Sequence, residues 1–229
     1  MKIVILTGAG ISAESGLSTF RDNNGLWENH KVEDVATPQA FERNPDLVHN
    51  FYNLRRANLK TVSPNAAHRA LAKVEQNFSE FLLVTQNVDD LHERAGSKNL
   101  IHMHGELLKK SCTFCKVISS ISTDMHKDSM CEACGKTGGL RPDIVWFGEV
   151  PYEMDTIFQA LMECDLFVSI GTSGNVYPAA SFVEIANQSG ARTVELNLEP
   201  GDQNNQFQQA HYGTATKIVP EFFNSLYLN

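Results

Sequence analysis

Long apolar runs are absent from this sequence. The longest, such as Ile3 to Leu6 and Leu166 to Ile170, are strand-sized, well short of the ~20 residues that a membrane-spanning helix needs. No membrane partner is therefore expected. Positive charge is scarce: 19 lysines and arginines face 27 aspartates and glutamates, a net charge of −8, which argues against nucleic acid as a partner. Internal repeats and low-complexity tracts are missing as well. No basic-then-apolar leader precedes Ile3, so a cytoplasmic setting is expected. Cysteine is sparse, at five residues, and in a cytosolic chain those few point to metal or catalysis rather than to disulfides. What remains, 42% apolar and 20% charged residues, is the composition of an ordinary folded protein.

Strand-like runs cover Lys2 to Thr7, Phe81 to Thr85, Asp143 to Phe147, Leu166 to Ile170, Thr193 to Asn197 and Ala215 to Val219. Helical patterns lie between them. Pro64 to Gln76 has Ser63 as N-cap and proline at the first helical position. Pro178 to Gln188 stops before Gly190, and Glu153 to Glu163 follows Pro151. This alternation predicts an α/β protein whose parallel sheet is covered on both faces. Two stretches, Asn23 to Lys60 and Glu106 to Gly139, fit it badly. They read as insertions that together build a smaller domain.

Four of the five cysteines fall in the second insertion. Cys112-x2-Cys115, fifteen intervening residues, then Cys131-x2-Cys134 is the spacing of two knuckles closing on one tetrahedral zinc ion. Gly135 would relieve the second tight turn. Four thiolates leave no open position, so the metal is expected to be structural. Cys164, beside Leu166 and Phe167, is expected in the core.

Gly8-Ala9-Gly10-Ile11-Ser12-Ala13 satisfies G-x-G-x-x-G/A directly after a strand, where a dinucleotide pyrophosphate meets backbone N–H groups. The usual acidic residue ending a second strand ~20 residues on has no counterpart: Glu33 and Asp34 lie where no strand pattern exists. An ordinary dehydrogenase is disfavoured. Other strand ends carry small or amide-bearing residues, namely Thr85-Gln86-Asn87-Val88-Asp89, Gly171-Thr172-Ser173 and Asn197-Leu198-Glu199. Open α/β sheets bind ligands at such ends. His102-Met103-His104-Gly105 closes another short apolar stretch. Alternation puts both histidines on one face, so spacing leaves the choice of a catalytic histidine open.

Taken in order, Gly8 to Ser12, Gly16 to Arg21, Thr85 to Asp89, His104-Gly105, the cysteine pairs, Arg141-Pro142-Asp143, Phe147-Gly148-Glu149, Gly171 to Ser173 and Asn197 resemble the sirtuin family over nearly the whole chain. Thr19-Phe20-Arg21, Ala36-Thr37-Pro38 and Tyr52-Asn53-Leu54-Arg55 are similar to its class III branch, which removes acidic acyl groups from lysine. Ser18 and Thr19 depart from the proline-aspartate pair of other branches, and no particular role is carried over to either. The resemblance implies a Rossmann-like NAD-binding domain of residues 1–22, 61–105 and 140–229, with a small domain of residues 23–60 and 106–139. It implies NAD contacts from Gly8, Ala9, Gly10, Ile11, Ser12, Thr19, Phe20, Arg21, Trp27, Gln86, Asn87, Val88, Asp89, Gly171, Thr172, Ser173, Asn197, Leu198, Glu199 and Ala215. Asn87 would hold the ribose, Asp89 the nicotinamide amide, and Phe20 would shield the reactive ribose carbon.

The resemblance also implies the chemistry. The acyl oxygen of an acylated lysine attacks the ribose carbon, nicotinamide leaves, and His104 takes a proton from a ribose hydroxyl that then attacks the imidate. The products are free lysine, nicotinamide and O-acyl-ADP-ribose. Partners would be acylated lysine-containing proteins. Tyr52 and Arg55, three apart on an expected helix from Asn50 to Leu59, would receive a succinyl or malonyl terminus, with Arg56 as the rival. ADP-ribosyl transfer to protein and a non-catalytic NAD-sensing module are the competing functions; a sensor would need no base at His104.

Overall fold

The computed structural model describes residues 1–19 and 30–226, together with the backbone of 26–27. Phe20, Arg21 and the side chain of Trp27 lie outside the described residues. In chain order the strands are β1 Ile3–Thr7, β2 Leu26–Trp27, β3 His30–Lys31, β4 Phe81–Thr85, β5 Leu100–His102, β6 Gly105–Cys112, β7 Ile118–Ser120, β8 Leu140–Ile144, β9 Leu166–Ile170, β10 Arg192–Asn197 and β11 Gln209–Tyr212. The helices are α1 Gly10–Ala13, α2 Val32–Val35, α3 Pro38–Arg43, α4 Pro45–Leu59, α5 Ala66–Asn77, α6 Leu91–Ala95, α7 Met154–Glu163, α8 Phe182–Gln188 and α9 Ala215–Leu226. None of the described helices is long and apolar enough to cross a membrane.

Six strands form the expected parallel sheet in the order β11-β10-β9-β1-β4-β5. Side chains on a strand alternate between faces, and β1 shows the result. Ile3 and Ile5 join Leu71 of α5 and Phe222 and Phe223 of α9 on one face. Val4 and Leu6 join Ile157 and Leu161 of α7 and Phe182 of α8 on the other. Both faces are dry, which is why the strands read as continuous apolar runs. From β1 the order runs outward one way through β4 and β5 and the other way through β9 to β11. The crevice beyond Thr7 and Ile170 is therefore the topological switch point, where such sheets take ligands.

Three expectations are corrected. Ala215 to Val219 is no strand: it opens α9, where Ala215, Ile218, Val219, Phe222 and Phe223 recur at helical spacing against the sheet. The five-residue window was too short to reveal the period. The strand expected at Asp143 to Phe147 is β8, ends at Ile144, and pairs antiparallel with β6 outside the parallel sheet. The helix expected from Pro64 starts at Ala66, capped by Asn65 instead of Ser63. The Asn65 side chain accepts from Ala67 N and His68 N, and His68 Nδ1 accepts from Asn65 N. That reciprocal box outweighs the proline signal.

The smaller part of the molecule has two cores. Helices α2 to α4 bury Val35, Ala40, Val48, Phe51 and Tyr52 with Leu107, Ile144 and Trp146. The antiparallel sheet β7-β6-β8 carries the cysteines with Ile121, Met125 and Leu140. Gly105 joins this sheet to His104. Its φ is +80°, and a Cβ there would stand 2.1 Å from the Asp143 carbonyl oxygen. Gly190 has the same conformation, φ +83°, with open space around it. Both positions penalise alanine by the left-handed strain of ~1–2 kcal/mol, but only Gly105→Ala adds a backbone clash. We expect Gly105→Ala to cost at least ~2 kcal/mol more than Gly190→Ala, about 4–8 °C in melting temperature for a chain of this size. Thermal denaturation of the two variants checks this, and equal shifts would show that the joint is not tightly packed.

Candidate functional site

The switch point is built of backbone. Gly8 N donates to Ile170 O at 3.0 Å and Gly10 N to Gly171 O at 2.9 Å. A Cβ on Gly8 would lie 2.8 Å from Gly171 O, one on Gly10 2.7 Å from Gly171 Cα, and one on Gly171 2.5 Å from Ile11 N. The loops after β1 and β9 thus close on each other as only glycine allows. Ala9, Thr172 and Ser173 line the same edge, half-buried. Asn197 Nδ2 donates to Thr172 O at 2.8 Å, tying in the end of β10, beyond which Leu198 and Glu199 are exposed. Ala215 begins α9, whose start is capped by Glu14: its carboxylate accepts from Thr216 N and Oγ1, each at 2.8 Å. Thr19 is described and half-buried in the loop beyond Gly16.

Behind this rim lies a polar network that the sequence reading missed. His68 Nδ1 accepts from Asn65 N, so Nε2 carries the proton and meets Ser12 Oγ at 3.4 Å. Ser12 Oγ in turn donates to Asp89 Oδ2 at 3.1 Å, and Leu91 N donates to Oδ1 at 3.1 Å. Asn87 Nδ2 donates to Gly8 O at 3.1 Å and to Ser12 Oγ at 3.3 Å. Because a carbonyl only accepts, this fixes the amide's orientation and leaves Oδ1 without a partner among the described residues. His92 Nε2 contacts Thr7 Oγ1 at 3.0 Å, and Thr7 Oγ1 donates to Thr85 Oγ1 at 2.8 Å. Burial holds His92 well below the imidazole range and His68 at about 4, so both are neutral. Burial raises the Asp89 pKa, with the Leu91 N–H and Ser12 hydroxyl opposing. Two signals could have revealed the network: the Asn65-x-x-His68 box and two strands that both end in threonine.

His102 and His104 have different surroundings. His102 Nδ1 faces the Asn87 carbonyl at 3.1 Å and Nε2 faces Glu93 Oε1 at 2.6 Å. Both partners accept, so both ring nitrogens carry protons. Burial opposes that charge, but Glu93 outweighs it and the pKa is raised. His104 Nδ1 donates to the Gln86 carbonyl at 3.2 Å, which leaves Nε2 with its lone pair and without a protein partner among the described residues. Burial lowers its pKa, opposed only by that one hydrogen bond. His104 is thus a neutral imidazole at pH 7, oriented to accept a proton. Val88, next to these carbonyls, is buried and packs with Leu91 and Leu107.

Tyr52 and Arg55 both lie on α4. Tyr52 is fully buried; its hydroxyl accepts from Trp146 Nε1 at 2.9 Å. Burial raises the phenol pKa, while the Trp146 hydrogen bond and then the Arg55 charge lower it, so the guanidinium is near enough to be felt. Arg55 is half-buried, its Cζ 5.7 Å from the Phe51 ring. Trp146 also carries the Arg141 guanidinium 3.4 Å above its ring, and Arg141 pairs with Glu149 at 2.7 Å. The rival Arg56 is 2% exposed and spends its donors on Leu107 O and Asn53 Oδ1, both at 2.9 Å.

The cysteines converge. Their four sulfurs lie within 4.8 Å of one another, with Cys112–Cys134 at 3.8 Å and Cys115–Cys131 at 3.7 Å. Sulfurs at ~2.3 Å from one tetrahedral centre stand about 3.8 Å apart, so the set fits zinc. Each pair forms the same knuckle: Lys116 N donates to Cys112 O and Gly135 N to Cys131 O, both at 2.8 Å, with φ +62° at Lys116 and +70° at Gly135. The Cys115 N–H lowers the Cys112 thiol, and the neighbouring Cys115 thiol is raised in turn, as sulfurs that share one site require. A second group of possible ligands, Glu93, His102 and Glu106, is occupied by the His102–Glu93 and Lys109–Glu106 ion pairs.

Residues 8–178 match the family model described as Sir2 family. An NAD-dependent protein deacylase from Pasteurella multocida (strain Pm70) is 59% identical over 225 residues, covering 97% of this chain and 96% of that protein. A Sir2 homolog solved in complex with NAD superposes with a TM-score of 0.91 at 37% identity, over 99% of this chain and 90% of the other. A Sir2 protein solved with a p53 peptide and NAD+ gives 0.85 at 27% identity, over 100% and 94%.

The sulfur geometry predicts one zinc per chain by elemental analysis and a loss of that zinc in Cys131→Ser. Metal binding to such a site is folding free energy, so strong chelators should inactivate slowly, in step with loss of the β6–β8 module. Active protein free of metal would overturn the assignment.

Proposed function

This chain belongs to the Sir2 family, and on that premise we propose that it removes acyl groups from protein lysines with NAD as co-substrate, in the cytoplasm. Acylated lysine-containing proteins are its partners. One observation carries the chemical reading: the crevice presents acceptors and a base. Asn87 Oδ1 has no partner among the described residues, Asp89 is a buried carboxyl group, and His104 Nε2 holds a lone pair. A ligand that fits must donate, as ribose hydroxyls and a nicotinamide amide do. The glycine rim, which admits no side chain, lets a pyrophosphate approach the backbone closely.

In this reading Gly8, Gly10, Ser12 and Gly171 to Ser173 hold the phosphates, with Asn197 and Glu199 toward the adenosine. Asn87 holds the ribose and Asp89 the amide. NAD supplies the electrophilic ribose carbon and a leaving group. His104 then takes the ribose hydroxyl proton at Nε2, with Nδ1 anchored on Gln86. That hydroxyl oxygen bonds to the acyl carbon, and a water from solvent adds there as the C–N bond to lysine breaks, leaving the acyl group on ADP-ribose and the lysine amine free. The cysteine module holds its zinc away from this chemistry. The parallel sheet serves as the NAD domain, and the two insertions, joined by β8 and Trp146, as the small domain that completes the acyl-lysine cleft.

Removing the general base should cost ~10²–10⁴-fold in turnover, so His104→Ala abolishes deacylation while ADP-ribose binding persists. The pH profile separates the two histidines. A base works unprotonated, so activity falls as pH drops through its pKa. For His104 that pKa is lowered, and the acid limb of kcat/KM lies below the ordinary imidazole value of 6.5. For His102, whose pKa is raised, it would lie above. A limb above 6.5 that moves in His102→Ala would reassign the base.

Acyl choice is read by Tyr52 and Arg55. Arginine's planar fork suits a carboxylate, and Arg56 is already committed to carbonyls. Hydrogen bonds to a charged group contribute about 1.5–3 kcal/mol, roughly 10- to 150-fold in kcat/KM. Arg55→Met should lower the succinyl-to-acetyl ratio of kcat/KM by at least the smaller factor. Equal losses on both peptides would mean that Arg55 supports the fold.

A further inference from the structure

Helix α4 is clasped from the side by the chain that links the two cysteine pairs. Asn53 Nδ2 donates to Met125 O at 2.9 Å and Asn53 Oδ1 accepts from Met125 N at 3.0 Å, so one amide satisfies both backbone groups of a residue. Arg56 donates to Asn53 Oδ1, to Leu107 O, and to Thr123 O at 3.4 Å. Lys60 Nζ reaches Ser122 O at 3.1 Å. The Met125 side chain meanwhile packs with Cys112 and Cys131. One connected path therefore runs from the cysteine centre through Met125 to Asn53, and so to the turn of α4 that carries Tyr52 and Arg55.

Successive helix residues point ~100° apart, so Asn53 and Arg56 lie beside Tyr52 and Arg55 on the same turn. We propose that Asn53 and Arg56 are positioning residues for acyl selectivity: by fixing the rotation of α4 against residues 121–126, they set where Tyr52 and Arg55 meet the acyl terminus. The inference rests on the reading that Tyr52 and Arg55 recognise a charged acyl group. Side-chain tips lie about 5–6 Å from a helix axis, so a turn of ~10° displaces them by about 1 Å. A misplacement of ~1 Å can cost ~10²-fold where geometry is demanding. A succinyl carboxylate makes that demand and an acetyl methyl does not.

A double-mutant cycle tests this. Asn53→Ala and Arg55→Met, singly and together, are assayed on succinyl- and acetyl-lysine peptides of one sequence, alongside zinc content and melting temperature. Asn53→Ala is expected to retain one zinc and to lower the succinyl-to-acetyl ratio at least tenfold, mainly through KM for the succinyl peptide. In the Arg55→Met background most of that effect should vanish, because Arg55 makes the charged contact that Asn53 positions. If Asn53→Ala does not fold, Asn53→Gln keeps the amide, lengthens the clasp by one methylene, and shifts the ratio the same way. Parallel losses on both peptides, or a full effect persisting without Arg55, overturn the proposal. A selective loss in Arg55→Met with an unchanged ratio in Asn53→Ala sinks the clasp alone. An unchanged ratio in Arg55→Met sinks the acyl reading first, and the clasp with it.

Discussion

Gly8 and Gly10, leaving β1, lie against Gly171, leaving β9, at separations where no Cβ fits. Parallel strands on opposite sides of a switch point diverge into separate crossovers, and the gap between their ends is normally open. Here two hydrogen bonds between the loops narrow it to bare backbone. The rest of the crevice follows from that closeness. With Gly8 pinned, its carbonyl sits where Asn87 can donate to it; with Gly10 pinned, α1 begins at once and carries Ser12 beneath the loop. A side chain at any of the three glycines would separate the strand ends and move every donor behind them.

Direction is the second constraint. Asn65 N can only donate, so His68 Nδ1 must accept and Nε2 must carry the proton. The order then passes to Ser12 and ends on Asp89 as an acceptor. Neutral imidazoles make this affordable, since a buried unpaired cation would cost far more than a buried polar ring. The same logic separates the two candidate histidines. Two acceptors make His102 a cation serving an ion pair with Glu93, whereas one acceptor leaves His104 a neutral base. They are two residues apart, and their partners decide their chemistry.

That distinction shows what a sequence can and cannot carry. Features encoded in local order were legible: the strand-glycine junction at Thr7-Gly8, the CxxC pairs, the strand ends at Asn87 and Gly171. The two histidines read alike because Glu93, the group that tells them apart, sits on α6, and only the fold brings it to His102. Arg56 was a rival to Arg55 for the same reason: its carbonyl partners, Leu107 and Thr123, are 51 and 67 residues away. The error at Ala215 to Val219 has another origin. Threonine, isoleucine and valine favour strands over a short window, and the helical period emerges only when Phe222 and Phe223 are counted.

Adjacent arginines with opposite fates also explain why the smaller part needs two segments of chain. Helix α4 buries Phe51 and Tyr52 among α2, α3 and Trp146, yet that apolar contact permits sliding and rotation. Hydrogen bonds to fixed carbonyls do not. Asn53 and Arg56 supply them: the Met125 and Thr123 carbonyls belong to a connector anchored at both ends by the cysteine knuckles and at Met125 by packing, and the Leu107 carbonyl belongs to β6. A four-sulfur centre in a module with a small core of its own thus does more than close that module. It stiffens the surface on which α4 rests, and a stiff surface lets a half-buried arginine on the same turn be held in one place.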